Sequence, residues 1–350
     1  LSTRVAATSH SQVRPETVGP GKGLVVPDGR SVAFDEVVGA SASLRCHDVA
    51  LPDAATPDPR PKGYRFTGLL PQMAFVPSRD AWLAENRAEL GSTLIERFCA
   101  YDTLSLDVFD TYLLRGHEAE AARFLDFSGF VIDRLASTPF RRLVERISAE
   151  SLTLMRARAM QSTYMFRTRI DGCNEGSIVE VAQTLAACLG GGPDLAGKLL
   201  ELEVDFEVSR LAPNPVLADL VRHFRQRGGR VILISDMYLH REQIDAICRK
   251  VDPEGYGAIE QVFSSADTIL NKRSGKIYPF VTQELALDPA TTVHIGDSSH
   301  SDIEMAREAG WNAMHFPISR PETVARERSL HALVDHFDRA GIDVRDWAKV

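Results

Sequence analysis

No stretch of this 350-residue chain is apolar for long enough to cross a bilayer. The longest runs, such as Val231-Ile232-Leu233-Ile234, are a fraction of the roughly 20 residues a spanning helix needs. Residues 1–23 also lack the apolar centre of a secretory signal, and Leu1 in place of Met reads as the start of a fragment or a processed product. A basic excess is missing too: 40 Lys and Arg are interspersed with 48 Asp and Glu for a net charge of −8, which argues against a duplex nucleic-acid binder. Cysteine is sparse, five in all and odd in number (Cys46, Cys99, Cys173, Cys188, Cys248). Their spacing suits no metal site, so free thiols in a reducing cytoplasm are expected. Internal repeats and low-complexity segments are absent. What remains, 44% hydrophobic and 25% charged residues, is an ordinary globular composition with room for two or three domains.

The first 63 residues are rich in Pro, Gly, Ser and Asp, and Pro52, Pro57, Pro59 and Pro61 forbid a helix there. Short β-like runs at Leu24-Val25-Val26 and Ser43-Leu44-Arg45-Cys46 fit a small β module or a disordered arm. Residues 79–101 repeat apolar side chains (Trp82, Leu83, Leu90, Leu94, Ile95, Phe98) as one helix face does. Five short strands follow, at 103–108, 230–234, 262–264, 292–295 and 313–316, with helices between them. Such alternation implies an α/β fold, a Rossmann-like parallel sheet with helices on both faces. Residues 117–214 interrupt it with about a hundred residues of helical periodicity, read as an inserted cap. The expected organisation is an N-terminal extension (1–78), a core (79–116 and 215–317), a helical cap (117–214) and a C-terminal helical segment (318–350).

The chemistry concentrates at strand ends. Thr103–Thr111 is an apolar strand that ends in Asp107 and a turn, at the edge where open α/β sheets place their sites. A carboxylate there serves as a nucleophile when a cation and a Lys mask the charge of an incoming anion. Both are supplied downstream: Lys272, then the acidic turn Gly296-Asp297-Ser298-Ser299-His300-Ser301-Asp302, while Ser235 ends another strand. Taken singly, Asp107 caps a turn, Thr111 and Asp302 cap helices, and Ser235 is an ordinary strand-terminal serine. Their order is what points to catalysis.

In that order, over about residues 104–317, the chain resembles the haloacid dehalogenase (HAD) superfamily, most of whose members are magnesium-dependent phosphatases. The resemblance implies that Asp107 attacks phosphorus to form an aspartyl-phosphate, with Thr111 and Ser235 holding phosphate oxygens. Lys272, six residues before Tyr278, would stand beside the nucleophile, with Lys276 as its rival. Mg2+ would be held by Asp107, Asp297 and the backbone carbonyl of Phe109, and Asp302 would order the loop and the metal's water shell. The implied partner is a small phosphorylated substrate in the cytoplasm, with neither nucleic acid nor membrane.

One position departs from the family pattern. The acid that usually stands two residues after the nucleophile, whose proton transfer is worth roughly 10²–10⁴-fold, is Phe109 here, and Asp110 comes one residue late. Three readings follow: a specialised phosphohydrolase whose substrate leaves easily or whose acid comes from Asp110 or the cap; a 2-haloacid dehalogenase, whose halide needs no proton; or a degenerate ligand-binding or scaffold domain. The retained acidic turn at Asp297 favours the first, because dehalogenation uses no magnesium. The Phe-Asp-Thr variant followed by Arg115 also resembles a branch that accompanies bacterial glycosyltransferases and surface-polysaccharide genes. In the cap, Arg167 and Arg169 are candidates for an anionic part of the substrate, against the blander reading of a solvated helix end. The run Glu201, Glu203, Asp205, Glu207 is expected to face solvent, as is His117.

Overall fold

The computed structural model describes residues 72–348 and a short antiparallel pair, β1 (Leu24–Val25) and β2 (Ser31–Val32). The chain forms two compact units, residues 1–63 and 64–350. The β-like run at 43–46 lies outside the described residues. Residues 72–78, expected in the N-terminal extension, belong to the larger unit. Met73 is fully buried there, and the Ala74 carbonyl accepts a hydrogen bond from Arg320 N at 2.8 Å.

The larger unit is built on β3 (Thr103–Asp107), β6 (Arg230–Ser235), β7 (Gln261–Ser264), β8 (Thr292–Gly296) and β9 (Asn312–His315). They form one parallel sheet in the order β7-β6-β3-β8-β9, so the five strands expected from the sequence are the five observed. Every residue of β3 and β8 is buried, which is why they read as continuous runs rather than alternating ones. Alternate side chains nevertheless part to the two faces. Leu104, Leu106, Val231 and Leu233 join the core that includes helices 87–98 and 215–226. Ile232 and Ile234 turn to the other face, against helix 277–285 and Trp311.

Local signals set the element ends. Asn214 accepts hydrogen bonds from Val216 N and Leu217 N, and Pro215 opens the helix that Gly228 closes at φ +83°. Ser319 and Glu322 form a reciprocal cap on helix 320–339. Leu333 and Phe337 of that helix, and Trp347 of the short helix 345–348 beyond it, are buried with Ala121 and Ala157.

Between β4 (Leu113–Arg115) and β5 (Leu211–Pro213), which pair antiparallel, lie helices 120–135, 141–144, 149–166, 178–188 and 193–208. This two-stranded stalk, where the helical insert leaves the sheet and returns, is too short to be read from sequence. The acidic run corrects an expectation. Glu203 and Glu207 are buried, not solvent-facing, and pair with Arg156 (2.6 Å) and Arg123 (2.5 Å) from the helices opposite. Buried carboxylates are tolerated when so paired. Cys173 and Cys248 are buried, Cys99 and Cys188 exposed, and all four are free. Among the described residues no helix is long and apolar enough to cross a membrane.

Candidate active site

β3 and β8 are hydrogen-bonded neighbours, with Leu106 opposite Ile295. Asp107 and the Gly296-Asp297 turn therefore emerge side by side at the carboxyl edge, with the strand order running outward on both sides of them, the crevice position in open α/β sheets. The turn after Asp107 is tied by Leu113 N to Val108 O (2.7 Å), Asp110 N to Leu113 O (2.8 Å) and Tyr112 N to Asp107 O (3.2 Å).

Lys272 lies buried between two acids, its Nζ 2.5 Å from Asp107 Oδ1 and 2.6 Å from Asp302 Oδ1. Its main chain is fixed by Asp236, whose carboxylate accepts from Lys272 N (2.7 Å) and Arg273 N (3.0 Å). Burial disfavours the ammonium, but the two carboxylates outweigh it and raise its pKa. Asp302 is likewise burdened by burial yet held well below the usual carboxylate range by Lys272 and His294. His294 Nε2 lies 3.1 Å from Asp302 Oδ1 and its Nδ1 2.8 Å from Ser105 Oγ. Burial keeps that imidazole neutral, so Nε2–H donates to Asp302 and Nδ1 accepts from Ser105. The other Asp302 oxygen accepts from Ser298 N at 2.9 Å. Gly296 makes room for it, since a Cβ there would run into the Asp302 carboxyl.

Asp107, Asp297 and Asp302 each offer a carboxylate oxygen, all within 4.8 Å of one another. One ammonium cannot balance three carboxylates. Asp107 is raised by burial and by Asp302 and Asp297, with Lys272 opposing. Asp297 is raised to about 6 by burial and by Asp110 and Asp302, and its carboxylate has no hydrogen bond or ion pair among the described residues. Uncompensated negative charge on oxygen donors is what a magnesium site requires, so the donor set fits that ion.

Phe109 and Asp110 point to different work. The Arg115 guanidinium stacks over the Phe109 ring, 4.1 Å from its centroid. Asp110 sits at φ +63°, gripped by Arg326 at 2.5 and 3.0 Å, while Arg79 donates to its carbonyl (2.8 Å) and carboxylate (3.3 Å). Glu322 in turn pairs with Arg79 at 2.5 Å. Burial pushes the Asp110 carboxyl up, but Arg326, Arg115 and Arg79 outweigh it and hold it below the ordinary range. An ionised, clamped carboxylate is no proton donor, which corrects the expectation that Asp110 could stand in for the missing acid.

A cavity of about 920 Å³ opens over these groups. Asp107, Phe109, Ser235, Lys272, Asp297 and Asp302 line it, as expected from sequence. Thr111 does not. It is fully buried beneath the turn, its Oγ1 without a hydrogen-bond partner. Arg167 and Arg169 are also outside the lining. Arg167 donates to the carbonyls of Gly176 (2.7 Å) and Ala266 (3.1 Å) and pairs with Glu180 (3.2 Å), stitching the insert to the core, and Arg169 is exposed. His117 is exposed too. Lys276 lies at the cavity but turns its Nζ to the Asp171 carbonyl.

Sequence reasoning missed Asp236, the Ser105–His294 pair, Arg79 and Arg326. A polar pair in two buried strands was a usable signal, because the register sets Ser105 opposite His294. The arginines carried none, lying outside the expected motif segments.

A family model described as haloacid dehalogenase-like hydrolase matches residues 113–310. Among solved structures, the chain is similar to a 2-haloacid dehalogenase from Pseudomonas syringae pv. tomato (16% identity, 65% of this chain and 99% of that one, TM-score 0.44). It is also similar to L-2-haloacid dehalogenase from Xanthobacter autotrophicus (15%, 65% and 82%, TM-score 0.39). A third is a HAD family enzyme from Bacteroides thetaiotaomicron in complex with magnesium and inorganic phosphate (16%, 61% and 93%, TM-score 0.37). No curated protein matches the chain.

Proposed function

Given that the chain belongs to the haloacid dehalogenase-like hydrolases, we propose that it is a magnesium-dependent phosphohydrolase of small phosphorylated metabolites, working through an aspartyl-phosphate on Asp107. The observation that carries this reading is the set Asp107, Asp297 and Asp302 converging beside Lys272. A halide displacement needs no such concentration of oxygen donors, whereas a phosphoryl group brings anionic oxygens that a cation must neutralise.

Asp107 and Asp297 would hold the ion together with the Phe109 carbonyl, and Mg2+ when bound would offset the charge of the phosphoryl oxygens. Lys272 aims Asp107, opposes the burial and neighbouring acids that raise its pKa, and lowers its repulsion toward a dianionic ester. Asp302, fixed from three sides, fixes Lys272. Ser235 offers a hydroxyl to a phosphoryl oxygen. Asp107 bonds to phosphorus as the leaving oxygen departs with its electron pair, and water then cleaves the aspartyl-phosphate to restore the carboxylate.

The test is to incubate the protein with sugar phosphates, aryl phosphates and 2-haloacids, with magnesium or with chelator, assaying phosphate and halide together. Phosphate release that needs the metal and disappears in Asp107→Asn is the expected result. Metal-independent halide release would make it a dehalogenase. Ligand binding with no turnover would make it a binding module.

A further inference from the structure

We infer that Arg115 takes the place of a proton donor, stabilising the departing oxygen as an anion rather than protonating it. This rests on the phosphohydrolase reading of the site and assigns a catalytic residue that the reading leaves out.

Four cations line the cavity among the described residues: Arg115, Lys272, Arg273 and Lys276. Lys272 is shared between Asp107 and Asp302. Arg273 faces Glu175 at 3.6 Å, and Lys276 donates to the Asp171 carbonyl. Arg115 differs from all three. Among the described residues it forms no ion pair, its Nε is buried without a partner, and its one hydrogen-bond contact is with the Met237 sulfur at 4.0 Å. Asp110, the carboxylate whose charge it feels, already has its oxygens taken by Arg326 and Arg79. A guanidinium left unsatisfied in a polar cavity is a site for an anionic oxygen.

Its placement is not left to chance. Phe109 presents its ring face 4.1 Å from the guanidinium carbon, a cation–π contact that steers a long side chain without neutralising it. The backbone below is pinned by the Asp110–Leu113 and Leu113–Val108 hydrogen bonds and by β4 pairing with β5. Phe109 thus has a positive role: it supports the cation. Lys272 and the acids serve the nucleophile, which leaves Arg115 to meet the rest of the ester.

The step balances without a protein acid. Asp107 Oδ forms a bond to phosphorus, the bond from phosphorus to the ester oxygen breaks, and that oxygen keeps the electron pair while accepting hydrogen bonds from Arg115. The guanidinium keeps its protons, and water protonates the product alcohol on release. Aimed donors at a developing oxyanion are typically worth 10²–10³-fold.

The experiment measures kcat and KM for phosphate esters of graded leaving-group basicity, from acyl and 4-nitrophenyl to phenyl and alkyl, in the wild type, Arg115→Ala, Arg115→Gln and Arg115→Lys. Arg115→Ala should lose about 10²–10³-fold in kcat on alkyl esters and less than about tenfold on acyl and 4-nitrophenyl esters. Added guanidinium should restore part of the alkyl rate, and Arg115→Lys should lie between. Equal losses on every ester, or a loss confined to KM, would overturn the inference and make Arg115 a binding group for a fixed part of the substrate. Unchanged rates would overturn it outright. A wild type that turns over no ester, or keeps its rate in Asp107→Asn, would bring down the phosphohydrolase reading as well, which separates the two failures. Thermal denaturation of the three variants shows whether the fold is kept; Arg115→Gln, which retains the stem over Phe109, decides the matter if Arg115→Ala does not fold.

Discussion

Lys272 Nζ lies 2.5 Å from Asp107 Oδ1, so the proposed nucleophile meets its substrate already joined to a buried ammonium. The same ammonium holds Asp302 at 2.6 Å. Removing it would strand two buried carboxylates, and breaking a buried pair from one side costs about 3–5 kcal/mol. Lys272→Met should therefore lower stability in urea by about that amount and abolish phosphate release. Added divalent cation should recover part of the stability and none of the activity.

Asp297 gives a pH signature. Its folded pKa, about 6, lies above the ordinary value of about 3.9. Between those values the folded metal-free protein holds a proton that the unfolded chain has released. Asp297 therefore contributes stability that is present below about pH 4 and lost as pH rises through about 6. A bound cation reverses the sign by favouring the carboxylate. The rise in melting temperature on adding magnesium should grow from pH 5 to 7 and then level off, and Asp297→Asn should remove that growth. A magnesium shift independent of pH would argue against Asp297 as a ligand.

Asp110→Asn keeps the shape and tolerates the left-handed backbone, but leaves Arg79 and Arg326 facing a neutral amide. We expect a loss of about 3–5 kcal/mol in stability, the range for breaking buried charge pairs. Activity should fall by a similar factor on aryl and alkyl phosphates alike. A loss confined to alkyl esters would revive Asp110 as the proton donor.

Gly296→Ala would press a methyl group into the Asp302 carboxyl. Because Lys272, His294 and Ser298 N all hold that carboxyl, it cannot swing aside cheaply. Overpacking of this kind costs about 1–3 kcal/mol, and the larger effect should be on catalysis. Nuclear magnetic resonance of the His294 ring would register the displacement directly.

Phe109→Asp restores the acid of the family pattern, yet should not restore acid catalysis. The new carboxylate would face Arg115, which favours its ionised form. The variant should show no added alkaline limb in its pH–rate profile. Pairing it with Arg115→Met should bring one out.

The sheet was legible because buried parallel strands are apolar runs ended by polar turns, as Val231–Ser235 and Val293–Asp297 are. That Asp107, Lys272, Ser235, Asp297 and Asp302 share one cavity was legible because strand ends in this order meet at one edge of the sheet. Thr111 was misplaced because a turn fixes where a backbone goes and not which side chain faces the cavity. Arg167 was misplaced because a cation beside a loop meets backbone carbonyls as readily as a ligand. Glu203 and Glu207 were misread because an acidic helix face is buried only when arginines on other helices come to meet it, and no local pattern announces that. The Asp110 clamp was invisible for the same reason at greater range.

That clamp has a consequence for biosynthesis. Arg326 lies 216 residues beyond Asp110 in the chain, and domains generally take shape from the amino end as they are made. The ribosome delivers the catalytic turn early and its buckle late. Until the helix carrying Arg326 and Glu322 has emerged, Asp110 has Arg79 but lacks Arg326, and Arg79 lacks the Glu322 that holds it. A nascent chain stopped before that helix should bind magnesium weakly and be cut by protease within residues 107–112, even where the rest of the sheet is protected.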